Sequence, residues 1–229
     1  MKKFKIFIAC DNSNPKWIKK IISNTNTDKL NIGYKFGLEF FYSKNGRKFI
    51  SKLKKKEIFL DLKLNDIPNT CVSAINSLKD LKNISYITAH INGGYEMLVA
   101  IKKATKKVNK NLKVLGVTVL TSISSSSIKR IGYSRQIREI VKKQASLAKS
   151  AKLDGIICSG YEANFIKNIC KRMEIITPGI RIKGDDKGDQ KRVMTPKEAF
   201  ENGATSIVIG RSITKGNIKN NIQKLIKSL

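Results

Sequence analysis

Short apolar runs alternate along the chain with longer segments in which apolar residues recur every three or four positions. The runs are nearly continuous, which is typical of strands buried on both faces, and the longer segments are typical of amphipathic helices. The predicted strands are residues 4–10, 31–36, 57–64, 85–89, 112–120, 154–158, 174–177 and 205–209. The predicted helices are residues 15–23, 38–53, 69–81, 93–108, 135–149, 161–171, 195–202 and 213–228.

The order of these elements predicts the fold class. Eight β/α units in 229 residues, with no insertion long enough for a second domain, predict an α/β fold in which residues 1–229 form a single-domain (β/α)₈ TIM barrel. The last helix has the expected pattern, with Ile218, Ile222 and Leu225 on one stripe and lysines outside it. A doubly wound open sheet is the alternative, but no glycine-rich fingerprint follows the first strand.

Polar residues stand at the ends of several predicted strands. In a barrel the carboxyl ends of the strands meet at one rim, where active sites lie. Asp11 follows the first strand, Lys35 lies in the second, His90 follows the fourth and Thr121 the fifth. We therefore expect the functional site at this rim.

The third strand has the most informative pattern, an alternation of charged and apolar residues that starts at Asp61. Because side chains alternate along a strand, Asp61 and Lys63 are expected in the barrel mouth, with Leu62 facing the helices. A buried charge pair needs further partners, which Lys35 and Asp66 could supply. The pattern predicts an alternating chain of acids and bases, and a salt-bridge lattice that only closes the barrel end is the alternative.

The chain after the last two strands has the features of a phosphate site. Gly210 allows the backbone to approach a ligand closely, and the guanidinium of Arg211 suits phosphate oxygens. Residues 180–192 are polar and glycine-rich and are predicted to form a lid, with Lys191 and Arg192 on its surface. Phosphate sites after strands seven and eight recur in this fold.

Composition narrows the class of protein. The net charge of +29 would suit a nucleic-acid binder, but the excess is mostly scattered lysine without interleaved arginine and aromatic residues. Nucleic-acid binding is therefore not expected as the main function. No apolar run approaches the ~20 residues that a membrane span needs, so we expect no membrane association.

The first residues of the sequence and its cysteines indicate the cellular compartment of the protein. The apolar run at 4–10 is interrupted by Lys5 and is too short for a secretion signal. The cysteines are widely separated and form no CxxC pair, which predicts reduced, buried thiols: Cys10, Cys71, Cys158 and Cys170. A cytoplasmic protein is the simplest interpretation.

Several motifs together resemble the orotidine 5'-phosphate decarboxylase family. Residues 61–70, Asp-Leu-Lys-Leu-Asn-Asp-Ile-Pro-Asn-Thr, look like the signature of that family. Further segments similar to the family follow in its order, at residues 117–122, 154–159, 177–181, 189–196 and 208–211. The resemblance covers nearly the whole chain. Its departures are small: Asn65 stands where His is common in the family, and Ser212 where Pro is common.

The resemblance implies an activity and a mechanism. The reaction would be decarboxylation of orotidine 5'-monophosphate to UMP and CO₂, the last step of de novo pyrimidine nucleotide synthesis, without a metal or cofactor. Lys63 would be the proton donor at C6, flanked by Asp61 and Asp66. The protein would be a homodimer in which Asp66 and Thr70 reach into the partner subunit's site.

The resemblance also implies the substrate contacts. Asp11 and Lys35 would meet the ribose hydroxyls, and Thr121 and Ser122 the pyrimidine edge. The remaining contacts, those to the phosphate included, would be made by Ile67, Pro178, Arg181, Gln190, Gly210 and Arg211.

Two alternatives stay open. The sugar-phosphate decarboxylases and aldolases that resemble this family have the same Asp-x-Lys-x-x-Asp core and generally use Mg²⁺, but residues 67–70 and Thr121-Ser122 favour the nucleotide enzyme. His90 could be a general base, but the reaction needs none, so a structural or site-wall role is preferred. Trp17 is expected to be a packing residue.

Overall fold

Eight parallel strands close into a barrel in the computed structural model, which describes residues 3–186, 188 and 192–229. Each strand pairs with the next along the chain, and the eighth pairs with the first. The strands are β1 (Lys5–Ala9), β2 (Asn31–Phe36), β3 (Glu57–Leu64), β4 (Ile84–His90), β5 (Lys113–Val117), β6 (Gly155–Ile157), β7 (Glu174–Ile180) and β8 (Ser206–Ile209). The predicted (β/α)₈ barrel is therefore confirmed.

Helices surround the strands. Those in the described residues are α1 (Pro15–Asn24), α2 (Leu38–Tyr42), α3 (Gly46–Ser51), α4 (Pro68–Asn76), α5 (Gly94–Val108), α6 (Ser125–Arg130), α7 (Ile137–Ser150), α8 (Gly160–Ile169), α9 (Pro196–Glu201), α10 (Arg211–Thr214) and α11 (Ile218–Lys227). A single 3₁₀ turn, Ile91–Gly93, precedes α5. Within the described part of the chain, no helix has the length and apolarity to cross a membrane.

Two predicted helices are each divided in the structure. The segment predicted at 38–53 breaks between α2 and α3, where the Gly46 N–H donates to the Ser43 carbonyl oxygen and the Ser43 hydroxyl to that of Phe40. A Cβ on Gly46 would lie 1.7 Å from the Phe40 carbonyl oxygen, so this turn requires glycine. The segment predicted at 213–228 is likewise divided between α10 and α11.

The barrel interior holds its own apolar layer. The Phe7 ring meets Phe59 and Tyr86 edge-on, with ring centroids 5.3 and 5.4 Å apart. The layer consists of Phe7, Ala9, Phe59, Tyr86, Leu115, Val117, Ile157, Ile176 and Val208. Ile6 and Ile8, which alternate with Phe7, belong instead to the larger core between strands and helices. The filled interior confines polar chemistry to the two ends of the barrel.

Charged groups close the end at which the strands begin. Lys5 Nζ lies 2.7 Å from a Glu57 carboxylate oxygen, and the Tyr86 hydroxyl donates to Glu174 Oε2 over 3.1 Å. Lys113 pairs with the same Glu174 carboxylate. A cavity opens at the opposite end of the barrel, where the carboxyl ends of the strands meet.

Candidate active site

A cavity of about 490 Å³ opens at the carboxyl ends of the strands. The floor of the cavity is the apolar layer of the barrel, which contributes Val117, Ile157 and Val208 to the cavity lining. Site residues predicted from sequence that line this cavity are Asp11, Lys35, Asp61, Lys63, Thr121, Ser122, Pro178, Arg181, Gly210 and Arg211. The volume falls within the range of about 300–1,000 Å³ that is usual for small-molecule sites.

Four charged side chains form an alternating chain across the cavity. Lys35 Nζ lies 2.9 Å from Asp11 Oδ1 and 3.4 Å from Asp61 Oδ2. Asp61 Oδ2 also accepts a hydrogen bond from Lys63 Nζ over 2.8 Å. Asp11, Lys35, Asp61 and Lys63 thus alternate in sign, so each inner charge lies between two opposite charges. Lys35, Asp61 and Lys63 alternate as the sequence predicted, but the terminal acid of the chain is Asp11 and not Asp66.

The electrostatics of this chain keep its buried members ionised. Burial would raise the pKa of Asp61, but Lys35 and Lys63 outweigh it, so the pKa of this carboxyl lies below its usual value. Burial would lower the pKa of Lys35, but Asp61 and Asp11 outweigh it, so this pKa lies above its usual value. Lys35 and Asp61 therefore stay charged at neutral pH despite their burial.

The backbone at Lys63 departs from a regular strand. The residue has φ +51°, in the left-handed region that a side-chain-bearing residue rarely adopts. Leu60 pairs with Ile87 and Leu64 with Ala89, so β3 has three residues where β4 has one. This bulge re-aims the end of β3, and Lys63 reaches the cavity through it rather than through simple alternation.

Three predicted site residues lie outside the cavity of their own chain. Asp66, Ile67 and Thr70 are exposed, and Ile67 retains 67% of its accessible surface. One carboxylate oxygen of Asp66 accepts a hydrogen bond from the Ile67 N–H over 2.7 Å. Among the ion pairs of the described residues Asp66 does not contact Lys63, so a single chain does not place Asp66 in the charged chain.

Two arginines, Arg181 and Arg211, line the cavity after β7 and β8. Arg181 is 8% exposed, and its Nε donates to the Asp186 carbonyl oxygen over 3.1 Å. A Cβ on Gly188, which has φ +59°, would lie 2.5 Å from Arg211 Nη1. The segment after β7 therefore approaches Arg211 closely. Gln190, predicted to join this group, lies outside the described residues.

Arg192 is not the surface residue that the sequence suggested. Its guanidinium pairs with Glu162, whose side chain is 6% exposed, and also donates to the Leu120 carbonyl oxygen over 3.4 Å. Glu162 in turn accepts from the Ser159 N–H in the capping box of α8. Arg192 therefore ties the segment after β7 to α8 and to the loop after β5. Lys191 lies outside the described residues.

Sequence reasoning missed two features of the cavity wall. A Cβ on Gly37 would lie 2.8 Å from Asp11 Oδ1 and 3.3 Å from Lys35 Nζ, so glycine makes room there for the charge pair. Trp17, expected to be a packing residue, also lines the cavity. Gly37 could not be identified from sequence, because a glycine after a strand is a common pattern. The cavity contact of Trp17 was not expected, because the residue lies in a helix with an apolar face.

His90 is the only histidine of the chain and ends β4. Burial, and next the charge of Lys63, lower its pKa, although Asp61 opposes this shift. A neutral imidazole at this place fits the preferred structural role. No group of three His, Cys, Asp or Glu side chains in residues 3–186, 188 and 192–229 is arranged to hold a metal ion.

The chain is similar in sequence to a protein family and to known proteins. A family model described as "Orotidine 5'-phosphate decarboxylase / HUMPS family" matches residues 5–224. The orotidine 5'-phosphate decarboxylase of Wolbachia sp. subsp. Brugia malayi is 45% identical over 215 residues, which are 91% of this chain and 92% of that protein. The protein of the same name from Buchnera aphidicola subsp. Acyrthosiphon pisum is 42% identical over 231 residues, covering 98% of this chain and 95% of its own.

The fold is also similar to solved structures. The crystal structure of orotidine 5'-phosphate decarboxylase from Lactobacillus acidophilus superposes with a TM-score of 0.84 and 33% sequence identity. The match covers 99% of each chain. The similarity therefore extends over the whole barrel, the strand ends that line the cavity included.

Proposed function

Since the chain belongs to the orotidine 5'-phosphate decarboxylase / HUMPS family, we propose that it decarboxylates orotidine 5'-monophosphate to UMP and CO₂, with Lys63 protonating C6 of the pyrimidine. Members named for this reaction are carboxy-lyases. The observation that carries the proposal is the Asp11–Lys35–Asp61–Lys63 chain inside the cavity. The reaction would complete pyrimidine nucleotide synthesis in the cytoplasm.

The residue types fit the chemistry. Loss of CO₂ from C6 leaves an electron pair in the plane of the ring, where no π-system can spread the charge. An ammonium fixed beside this carbon stabilises the developing charge and then donates its proton. Asp61 Oδ2 lies 2.8 Å from Lys63 Nζ and accepts a hydrogen bond from it, which holds the nitrogen in place within the cavity. The proton moves from Nζ to C6, and Lys63 regains one from solvent after product release.

The remaining cavity residues fit the other parts of the nucleotide. Asp11 and Lys35 offer an acceptor and a donor for the ribose hydroxyls, and Thr121 and Ser122 line the wall for the pyrimidine edge. Arg181 and Arg211 supply guanidinium groups for the phosphate. Because the phosphate is remote from C6, its binding energy can hold the ring against Lys63 in the transition state.

We extend the proposal to a homodimer. Asp66, Ile67 and Thr70 are exposed beside the strand that carries Lys63, although the resemblance assigns all three to the site. A second copy that covers Ile67 would remove an exposed apolar side chain from water. In this arrangement Asp66 and Thr70 complete the cavity of the partner subunit.

The test is a spectrophotometric assay with orotidine 5'-monophosphate, in which the loss of its absorbance is followed with and without EDTA. Rapid decay that is insensitive to the chelator supports the substrate, the reaction and metal independence together. Decay that stops on chelation would contradict the metal-free mechanism. No decay with a folded protein would overturn the proposal, and phosphorylated keto sugars with Mg²⁺ would be the next substrates.

A further inference from the structure

Thr88 occupies the point at which β3 and β4 lose their regular pairing. The side chain is fully buried on β4, and its hydroxyl makes two hydrogen bonds to β3. Thr88 Oγ1 accepts from the Lys63 backbone N–H over 2.8 Å and donates to Asp61 Oδ1 over 3.0 Å. One buried hydroxyl therefore contacts both the backbone of the proposed proton donor and the carboxylate that pairs with it.

The first of these bonds compensates for the bulge. Residues 61–63 lie opposite Thr88 alone, so a backbone N–H in this stretch lacks a regular partner on β4. Burying an unpaired N–H is costly, and a left-handed lysine is strained. The Thr88 hydroxyl takes the place of the missing carbonyl and so holds Lys63 at φ +51°.

The second hydrogen bond gives the two oxygens of the Asp61 carboxylate different partners. Because a hydroxyl has a single proton, the Thr88 proton is committed to Asp61 Oδ1. The other oxygen, Oδ2, is left to face Lys63 and Lys35 at 2.8 and 3.4 Å. Thr88 thus fixes both the main chain of Lys63 and the orientation of the carboxylate beside its ammonium.

We propose that Thr88 is a positioning residue of the decarboxylation, whose hydroxyl aims Lys63 and Asp61 through the bulge of β3. The proposal deepens the proposed function and rests on it. The competing explanation is packing, since a β-branched residue suits a buried strand in any case. The two explanations make opposite predictions for the methyl group and the hydroxyl of this side chain.

Two substitutions separate these explanations. Thr88→Val keeps the shape and removes the hydroxyl, and we expect kcat to fall by about 10- to 100-fold with little change in KM. Thr88→Ser removes a methyl group and keeps the hydroxyl, and we expect kcat within about threefold of the wild type on the same reasoning. A packing role would instead spare the Val variant and impair the Ser variant.

Thr105→Val is the matched control. Thr105 is also fully buried, but it lies in α5, and its hydroxyl donates to the Lys102 carbonyl oxygen over 3.0 Å, away from the cavity. The same isosteric change should leave kcat unaltered there. If Thr88→Val does not fold, Thr88→Ser and Thr88→Cys give the same contrast, because the thiol is a weak hydrogen-bonding group.

The pH profile of kcat is a measurement that a purely packing role of Thr88 would leave unchanged. The titratable groups that face Asp61 are Lys35, Lys63 and His90, and the Thr88 hydrogen bond adds to the lysines in lowering the Asp61 pKa. The acidic limb of kcat should therefore move to higher pH in Thr88→Val and stay in place in Thr88→Ser.

The outcomes distinguish this inference from the proposed function. Wild-type protein without activity on orotidine 5'-monophosphate would overturn the proposed function, and the inference with it. Active wild type with normal kcat in Thr88→Val would overturn the inference alone, as would equal loss in the Val and Ser variants. A lower kcat and a shifted acidic limb in Thr88→Val only would support it.

Discussion

Replacing Asp61 by Asn removes the charge shared by Lys35 and Lys63 and preserves the shape of the side chain. The two lysine nitrogens lie 3.4 and 2.8 Å from Asp61 Oδ2. At an effective dielectric constant of about 20, these distances correspond to roughly 5 and 6 kcal/mol of gross attraction. Desolvation of the three groups offsets much of this, and removing one partner of a buried ion pair costs about 3–5 kcal/mol net.

The assay is urea unfolding of wild type and Asp61→Asn at one protein concentration, since the stability of the proposed dimer would depend on concentration. The expected loss is about 3–5 kcal/mol, or a fall of roughly 6–20 °C in Tm for a chain of this length. Asp80→Asn is the matched control. Asp80 pairs with Arg47 at the surface, where the two side chains are 57% and 38% exposed, and an exposed pair contributes below about 1 kcal/mol. A loss in Asp61→Asn no larger than in this control would refute the reasoning.

The difference in free energy of unfolding between wild type and Asp61→Asn should depend on pH in a direction that the two pKa shifts determine. The Asp61 pKa is lowered in the folded state, so its stabilisation is complete above the unfolded-state pKa of about 3.9 and is lost as the pH falls below that value. The Lys35 pKa is raised, so its stabilisation is complete below about 10.4 and is lost at higher pH. The difference between wild type and Asp61→Asn should therefore be constant from about pH 5 to pH 9 and shrink outside this window.

Three further variants test the proposed roles. Lys63→Ala should lower kcat by about 10⁴-fold or more, because it removes both the proton and the charge at C6, and near-normal turnover of the folded variant would refute the proton-donor role. Arg211→Ala should raise KM roughly 10- to 100-fold by loss of charge-assisted bonds to the phosphate, whereas orotidine, which lacks the phosphate, should react equally with variant and wild type. Ile67→Lys should give a monomer by analytical ultracentrifugation with greatly reduced activity, and an active monomer would contradict the shared site.

The barrel was predictable because its strands are buried on both faces and are therefore mostly apolar. Of the eight, β2 and β3 have the predicted bounds, and the other six differ from prediction by one to three residues at one or both ends. The break between α2 and α3 depends on a close approach of Gly46 to the Phe40 carbonyl oxygen, a tertiary contact that periodicity does not encode. Hydrophobic pattern thus determines which elements exist, and local contacts determine where they end.

The site was predictable to the extent that it depends on residue type and strand position. Alternation along β3 indicated that Asp61 and Lys63 share the barrel mouth, and both line the cavity. The bulge at Lys63 was not predictable, because it arises from the pairing of β3 with β4, where the Lys63 N–H donates to the Thr88 hydroxyl. The Arg192–Glu162 ion pair was likewise not predictable from the sequence pattern, since the two residues are 30 positions apart.

The two lysines of the cavity are not equivalent, and their difference supports the choice of Lys63 as proton donor. The Lys35 side chain is 10% exposed and lies between two carboxylates, those of Asp11 and Asp61. The Lys63 side chain is 31% exposed, and in the described part of the chain its ammonium pairs with Asp61 alone, on an oxygen that Lys35 also faces. An ammonium has three donors, so Lys63 keeps more hydrogen-bonding capacity towards the cavity than Lys35 does. Lys35 is thus suited to hold Asp61 ionised, and Lys63, at the open end of the chain, to meet the charge that develops on the substrate.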